Sequence, residues 1–226
     1  MGSDQNSISV IMPVFNGDPF LAEAVASIRR QSLQPMEIII IDDGSTDRTS
    51  RYATSLGEDV YYFYQENGGP AVARNRALRI ARGEIIAFLD ADDVWPEDKL
   101  AIQSSCLAAD PSLEIVTGNT QYLKYDGKDY KPYLQPTFNL HLGAGVFRRS
   151  VFEKVGEFNP SLHLSEDIDW FKRANALEIK IAKLETTTLY FRIHEKNLEQ
   201  YRERHSLSGL QDFHSMQLIT VSGNCS

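Results

Sequence analysis

The fold is decided by the stretch Ile85-Ile86-Ala87-Phe88-Leu89-Asp90-Ala91-Asp92-Asp93, in which five apolar residues run directly into a cluster of acids. A short apolar run of this kind is typical of a strand buried on both faces of a sheet. The acids end the strand and therefore lie at its carboxyl end. The stretch predicts a buried strand that carries several carboxylates to one edge of a sheet.

Three more apolar runs of strand length precede this stretch, and helical patterns separate them. The predicted strands are Ile8–Val14, Glu37–Ile41, Val60–Tyr64 and Ile85–Leu89, and the predicted helices begin near Pro19, Asp47, Pro70 and Pro96. Strands that alternate with helices form βαβ units, so we predict an α/β fold with a parallel sheet covered on both faces. Ligands of such sheets bind beyond the carboxyl ends of the strands, which is where the acids fall.

The pattern is less regular after residue 113. The elements predicted there are a strand at Ile115–Thr117, strand pieces and loops over Asn119–Asn139, helices at Arg149–Val155 and Glu166–Ala176, strands at Ile179–Leu184 and Thr186–Ile193, and a charged helix from Leu198. Residues 206–226 carry no informative pattern. No linker or repeat divides the chain, and 226 residues fit one domain, so we predict a single domain over residues 1–226.

Composition argues against several classes of protein. With 42% hydrophobic residues the chain can bury a core, and its net charge of −8 opposes nucleic acid or an anionic membrane as the main partner. The N-terminus lacks an apolar signal segment, and the apolar runs are far shorter than the ~20 residues of a membrane-spanning helix, which predicts a cytoplasmic protein. Cys106 and Cys225 lack metal-ligand spacing, so we expect no disulfide framework and no zinc site, with Cys106 buried on a helix.

Asp90 and Asp92 are candidates for a metal site. Alternate acids beyond a strand end can turn into the same cleft, and their hard oxygen atoms suit Mg²⁺ or Mn²⁺, with a diphosphate completing the coordination. The competing interpretation is that acids after a strand cap the following helix, and this interpretation is favoured for Asp93.

Two further turns carry residues suited to a nucleotide. Asp42-Asp43-Gly44-Ser45 ends the second strand, and its carboxylates suit a uracil imide or a ribose hydroxyl, or else ordinary turn and cap hydrogen bonds. Gly68-Gly69-Pro70 precedes a helix that carries Arg74. Glycines there let backbone N–H groups approach a phosphate whose charge Arg74 would neutralise, unless the segment is a plain helix start.

Glu166, Asp167 and Asp169 open a predicted helix. Acids at a helix start commonly interact with the helix dipole, but one of these is also placed to act as a general base toward an acceptor hydroxyl. His194 follows a predicted strand and is either a metal ligand or a surface residue. On its own the surface position is favoured.

Together these segments resemble glycosyltransferases of family 2. The matching segments, in the expected order over about residues 8 to 195, are Ser9–Gly17, Ile41–Asp47, Asn67–Asn75, Phe88–Asp93, Phe147–Ser150, Gly156–Phe158 and Ser165–Trp170. A single Asp-x-Asp sequence is a weak signal, whereas this ordered series of motifs is specific.

The resemblance implies the GT-A fold, a Rossmann-like αβα sandwich with a mixed, mostly parallel central sheet. Residues from about 8 to 112 would form the half that binds the nucleotide sugar, and residues from about 113 to 205 the half that binds the acceptor. The implied donor-binding residues are Pro13, Val14, Asp43, Gly69, Arg74, Asp90 and Ala91. The implied metal ligands are Asp92, Asp90 and His194, and the implied catalytic base is Asp167, with Glu166 as its competitor.

The resemblance also implies an inverting, metal-dependent transfer of a sugar from a nucleoside-diphosphate sugar, with UDP favoured, to an acceptor hydroxyl in glycan or polysaccharide assembly. Mn²⁺ or Mg²⁺ would stabilise the departing diphosphate. The acceptor would be a glycan, a lipid-linked molecule or another hydroxyl compound, and peripheral association with the inner face of a membrane stays open. The chain lacks the Gln-x-x-Arg-Trp tract of processive synthases in the wider family.

Three other interpretations compete with this one. A sugar nucleotidylyltransferase shares the layout, but it needs a glycine-rich loop with a basic residue after the first strand, and Val14–Pro19 has a single glycine and no basic residue. A receiver-like signalling module needs a lysine after a later strand, and no suitable one follows. A catalytically inactive sugar-nucleotide-binding relative is opposed by the intact acids.

Overall fold

A central sheet of ten strands organises the part of the chain that the computed structural model describes, residues 7–162, 165–195, 197 and 218–221. The strands are β1 (Ile8–Val14), β2 (Glu37–Asp43), β3 (Val60–Gln65), β4 (Ile85–Phe88), β5 (Ile115–Tyr125), β6 (Tyr130–Pro132), β7 (Thr137–Phe138), β8 (Val146–Arg148), β9 (Ile181–Ile193) and β10 (Leu218–Val221). The helices are α1 (Leu21–Arg29), α2 (Thr49–Thr54), α3 (Pro70–Ile80), α4 (Lys99–Ala109), α5 (Arg149–Val155) and α6 (Glu166–Ala176).

The order of the strands determines where a ligand can bind. The sheet runs β10-β9-β5-β8-β4-β1-β2-β3, and β6 and β7 pair with β5 outside this path. β1 lies between β2 and β4 and is parallel to both. The chain therefore builds the sheet outward from β1 in one direction through β3 and then continues on the other side of β1 with β4. In open α/β sheets, such a change of direction leaves a crevice at the carboxyl ends of the two central strands, here β1 and β4.

The sheet is mixed but mostly parallel, as predicted. Parallel pairs join β1, β2, β3 and β4, and also β5, β9 and β10. The antiparallel strand β8 connects these two groups because it pairs with β4 on one side and β5 on the other. The predicted α/β fold is confirmed.

Helices cover both faces of the sheet because the central strands are apolar on both sides. The four isoleucines of β2, Ile38–Ile41, are all buried, and β-branched side chains suit a strand in this position. On one face, Val10 and Met12 pack with α1, α2 and α4. On the other face, Ile11 packs with α3, α5 and α6. The result is the predicted αβα sandwich.

The second half differs from the sequence prediction in several boundaries. β9 is one strand from Ile181 to Ile193 rather than two, and shifts of register on both sides of Asn119 in β5 absorb the irregularity between them. β5 continues to Tyr125 because the hairpin to β6 pairs its end. α4 begins at Lys99 rather than at Pro96. β10 lies in a segment without an informative pattern, and the helix predicted from Leu198 lies outside the described residues.

Two expectations from composition have different outcomes. Cys106 is buried on α4, as predicted, but it is disulfide-bonded, so the expectation that the cysteines give no disulfide framework is wrong. The other cysteine, Cys225, lies outside the described residues. Among the helices that the structure describes, none has the length and apolar character needed to cross a bilayer.

The aromatic cluster under α6 generates a prediction about stability. Trp170 is fully buried, its ring lies against Phe147, Phe152 and Phe158, and its Nε1 donates to the carbonyl of Gly156 at 2.9 Å. We expect Trp170→Ala to lower the free energy of unfolding by about 3–5 kcal/mol, because it removes a large buried side chain and leaves a cavity. Urea unfolding followed by circular dichroism measures this change.

The matched control is Leu177→Ala at the end of the same helix, where the side chain is 54% exposed. We expect this variant to stay within about 0.5 kcal/mol of the wild type. Equal losses in the two variants would show that the cluster does not anchor α6.

Candidate functional site

The predicted site residues meet in one cleft of about 660 Å³ at the carboxyl ends of β1 and β4. All the predicted donor-binding residues and metal ligands line it, and so does Glu166, whereas Asp167 does not. The lining residues that sequence reasoning missed are Phe15, Asn16, Gly17, Phe20, Asn67, Pro70 and Asn197. The volume lies within the usual range of small-molecule sites.

Asp43 fixes the glycine loop that leads into α3. Its carboxylate accepts hydrogen bonds from the backbone N–H groups of Gly68 at 2.9 Å and Gly69 at 2.8 Å, and from Gln65 Nε2 at 2.7 Å. Gly69 has a φ of +88°, a region that favours glycine, at the point where the chain turns into the helix. These two N–H groups are thus engaged by Asp43 and do not point openly at a phosphate, which differs from the role that the sequence suggested for Gly69.

Arg74 joins the two halves of the chain inside the cleft. Its guanidinium donates to Asp90 Oδ1 at 2.7 Å and to Glu166 Oε1 at 2.5 Å. The Arg74 and Glu166 side chains are only 5% and 2% exposed, whereas that of Asp90 is 28% exposed. Burial alone would lower the pKa of Arg74, but attraction by Asp90, Glu166 and Asp167 outweighs it and raises the pKa. Arg74 therefore stays charged and orients both carboxylates.

The start of α6 presents its three acids differently. Glu166 lines the cleft and is paired with Arg74. Asp167 is 3% exposed, and its Oδ1 accepts the N–H of Ile168 at 2.9 Å. Asp169 accepts from Arg173 one helical turn later, at 2.9 Å, and its side chain is one-third exposed. Of the three acids, Glu166 lines the cleft, whereas Asp167 and Asp169 do not.

Asp92 and His194 lie face to face on the other side of the cleft. The distance from His194 Nε2 to Asp92 Oδ2 is 3.0 Å, and the side chains are 13% and 33% exposed, respectively. Asn197 accepts the N–H of His194 at 2.9 Å and approaches Asp92 Oδ2 at 3.4 Å. His194 is thus a mostly buried partner of the central acid and not the surface residue favoured by its sequence position alone.

Asp93 does not cap a helix, and that sequence interpretation is wrong. It is fully buried, and its Oδ1 accepts the backbone N–H of Arg192 at 3.0 Å, which ties the end of β4 to β9. Its Oδ2 is buried without a hydrogen-bond partner among the described residues. Burial, together with the charges of Asp92 and Asp90, raises the pKa of Asp93 well above its usual value.

A second group of residues could also hold a metal ion. Ligand atoms of Asp90, Asp93 and His141 lie within 4.8 Å of one another. This group shares Asp90 with the predicted ligand set, but Asp93 and His141 are buried and do not line the cleft. The pair Asp92 and His194 lines the cleft, whereas Asp93 and His141 do not.

The loop after β1 supplies most of the residues that sequence reasoning missed. Asn16 Oδ1 accepts the N–H of Thr46 at 2.9 Å, and its own N–H donates to Ser45 Oγ at 2.8 Å. Gly17 N–H donates to Thr49 at 2.9 Å. These bonds hold the loops after β1 and β2 together at the cleft rim. The sequence signal for this contact is that Asn16-Gly17 and the polar residues after Asp43 each follow a strand of the same sheet.

The mixed sheet between two helix layers, with an acidic cleft at the strand ends, defines the GT-A class of fold. Two solved structures share it with TM-scores of 0.69 at 22% sequence identity. One is S. aureus TarS in complex with UDP-GlcNAc, over 84% of this chain and 59% of that one. The other is the mannosyltransferase PcManGT from Pyrobaculum calidifontis in complex with GDP-Man and Mn²⁺, over 91% and 63%.

The sequence comparisons identify the family. Residues 9–168 match the family described as Glycosyl transferase family 2. An uncharacterized glycosyltransferase of Rickettsia typhi is 31% identical over 73% of this chain and 58% of its own length, and one from Nostoc sp. is 30% identical over 84% and 66%. The chain belongs to glycosyl transferase family 2. It spans between about a quarter and three-fifths of the first curated relatives that it matches.

Asp93 generates a prediction about pH. An acid whose pKa is higher in the folded than in the unfolded state takes up a proton on folding, so its contribution to stability falls as pH rises above the unfolded pKa of about 3.9. Asp93→Asn keeps an oxygen for the Arg192 N–H and removes this penalty. We expect the variant to gain stability over the wild type between pH 5 and pH 8, measured by urea unfolding in the presence of EDTA.

The control variant, Asp59→Asn, is expected to change stability in the opposite direction. The pKa of Asp59 is lowered by its hydrogen bond with Arg29, so Asp59→Asn should lose a little stability at pH 8. The opposite result would be an Asp93→Asn variant that is less stable than the wild type, with a larger deficit at pH 8 than at pH 5. It would show that the charged carboxylate of Asp93 stabilises the fold.

Proposed function

We propose that this protein transfers a sugar from a nucleoside-diphosphate sugar, with a UDP-sugar favoured, to a hydroxyl group of an acceptor. The observation that carries the proposal is the single cleft in which Asp90, Asp92 and His194 lie together at the ends of β1 and β4. Membership of glycosyl transferase family 2 supports it. In the related solved structures, TarS binds UDP-GlcNAc and PcManGT binds GDP-Man with Mn²⁺.

The side-chain oxygen and nitrogen atoms that line this part of the cleft are suited to binding a divalent metal ion. Asp92 and His194 approach each other to 3.0 Å and both face the cleft, while the Asp90 carboxylate, partly exposed, lies beside them. Carboxylate and imidazole atoms suit Mn²⁺, and carboxylates also suit Mg²⁺. When bound, the ion would stabilise the negative charge that develops on the departing diphosphate. We propose Asp92 and His194 as its ligands, with Asp90 held toward Arg74 beside them.

The nucleoside is proposed to lie between the loops after β1 and β2. Pro13, Val14 and Asp43 line that end of the cleft. Asp43 is 4% exposed and already accepts three hydrogen bonds, so its role toward a base would be to fix the loop as well as to accept a uracil imide. In this proposal residues from about 8 to 112 bind the donor and residues from about 113 to 205 bind the acceptor.

Asp167 is the proposed general base, which takes the proton of the acceptor hydroxyl as that oxygen attacks the anomeric carbon from the face opposite the nucleotide. Its competitor Glu166 is engaged by the buried guanidinium of Arg74, which ties that carboxylate to α3. Asp167 follows Glu166 at the start of α6, where its Oδ1 accepts the N–H of Ile168. We propose that the reaction is an inverting single displacement onto a glycan or lipid-linked hydroxyl.

Binding of nucleotide with and without metal tests the donor site. We expect calorimetry to show UDP binding that Mn²⁺ strengthens, because Asp92 would help to hold an ion whose positive charge offsets the negative charge of the diphosphate. Asp92→Asn should abolish the strengthening by Mn²⁺ and leave the metal-free affinity for UDP nearly unchanged. The matched control is Asp110→Asn, since Asp110 is a half-exposed acid after α4 that does not line the cleft and whose side chain accepts the N–H of Ser112 at 2.8 Å.

The outcomes of this titration separate the parts of the proposal. Tighter binding of GDP than of UDP would leave the proposed sugar transfer in place but would show that the nucleotide of the donor carries guanine rather than uracil. If the affinity of the wild type for UDP is the same with and without Mn²⁺, then the proposed metal site is wrong. Absence of binding by either nucleotide to folded protein would overturn the donor site itself.

Turnover distinguishes the two candidate bases. With a UDP-sugar donor that the chain hydrolyses or transfers, Asp167→Asn should lower kcat by about 100- to 10,000-fold while UDP affinity is retained. Glu166→Gln removes one partner of the buried Arg74, so we expect it to lower the free energy of unfolding as well. Loss of turnover in Glu166→Gln with full stability, and normal turnover in Asp167→Asn, would exchange their roles.

A further inference from the structure

Phe20 occupies a position that its sequence pattern does not explain. From the sequence it is only an apolar residue at the start of α1, yet in the structure it lines the cleft and is half-buried. Its ring stacks on the imidazole of His194, with 4.7 Å between ring centroids and 26° between the planes. The guanidinium of Arg192 lies 4.9 Å from the same ring, and Tyr130 meets it edge-on at 6.3 Å.

The opposite side of the imidazole faces the central acid. His194 Nε2 is 3.0 Å from Asp92 Oδ2. Arg192 is 1% exposed, and its Nε donates to the backbone carbonyl of Asp92, so the chain that carries the acid is held by the same group that lies over Phe20. Asn197 connects the parts further, because it accepts the His194 N–H at 2.9 Å and donates to the Arg192 carbonyl at 2.8 Å.

We propose that Phe20 is a positioning residue that holds the His194 ring so that Nε2 faces the Asp92 carboxylate before an ion arrives. The proposal rests on the proposed function, in which Asp92 and His194 bind a divalent cation, and it adds a residue from α1 to that site. Without such a contact, the side chain of a histidine that follows a strand would lose its rotational freedom only when it binds the metal ion. Stacking on the aromatic ring of Phe20 restricts the His194 side chain before the ion binds, so part of the entropy loss has already occurred. Offset stacking also orients the imidazole ring.

A double-mutant cycle on Mn²⁺ affinity tests this role. Free Mn²⁺ is measured by electron paramagnetic resonance at saturating UDP for the wild type, Phe20→Leu, His194→Ala and the double variant. We expect Phe20→Leu to weaken Mn²⁺ binding by about two- to tenfold, the range expected for loss of one aromatic stack. Phe20→Tyr keeps the ring and should restore most of the affinity.

The cycle separates positioning from general packing. If Phe20 acts through His194, then Phe20→Leu causes no further loss of Mn²⁺ affinity once His194→Ala is present. The matched control is Phe63→Leu, because Phe63 is also half-buried under an arginine guanidinium, with Arg76 at 5.8 Å, but lies outside the cleft. This variant should bind Mn²⁺ as the wild type does.

The failures are distinguishable. Unchanged Mn²⁺ affinity in Phe20→Leu, or the same factor of loss with and without His194, overturns the positioning role while the metal site stands. Absence of UDP-dependent Mn²⁺ binding in the wild type, or no effect of His194→Ala, instead overturns the proposed ligand pair and with it any role for Phe20 toward it.

Discussion

The buried ion pair of Arg74 with Asp90 and Glu166 is the interaction on which the cleft depends. Arg74 comes from α3, Asp90 from the end of β4, and Glu166 from the start of α6, 92 residues after Arg74. A guanidinium that is 5% exposed needs carboxylate partners to offset its desolvation, and losing one partner of such a pair commonly costs about 3–5 kcal/mol. The packing of α6 against the sheet and the orientation of the acids are therefore coupled. The first and second halves of the chain share one electrostatic centre.

The strands and helices of the first half could be read from sequence because their signals are local. Apolar runs such as Ile38–Ile41 and turn residues such as Gly69 determine their own conformation over a few positions. The acids at the ends of β2 and β4 were identified for the same reason. The carboxyl ends of parallel strands must share one edge of the sheet, so residues predicted separately could be placed together.

What the sequence did not reveal depends on contacts between distant segments. Asp93 follows the same strand as Asp90 and Asp92, and only the pairing of its carboxylate with the Arg192 N–H, 99 residues away, shows that it is a buried connector. The engagement of the Gly68 and Gly69 N–H groups by Asp43 is equally invisible locally. The continuous β9 was split in prediction because Glu185 interrupts its apolar pattern, and pairing with β5 overrides that preference. The stacking of Phe20 on the His194 ring likewise joins residues that are distant in the sequence.

The Asp43 contacts also bear on the entropy of donor binding. Loops that carry a ligand site commonly lose conformational freedom when the ligand arrives, and that loss weakens affinity. Here the carboxylate of Asp43 already ties the end of β2 to the glycine turn before α3, and Asn16 ties the β1 loop to the same region. At the end of the cleft where we propose that the nucleoside binds, these loops are thus already tied together in the folded protein. A ligand that binds there would meet loops already held by hydrogen bonds, so ordering them would cost it less affinity.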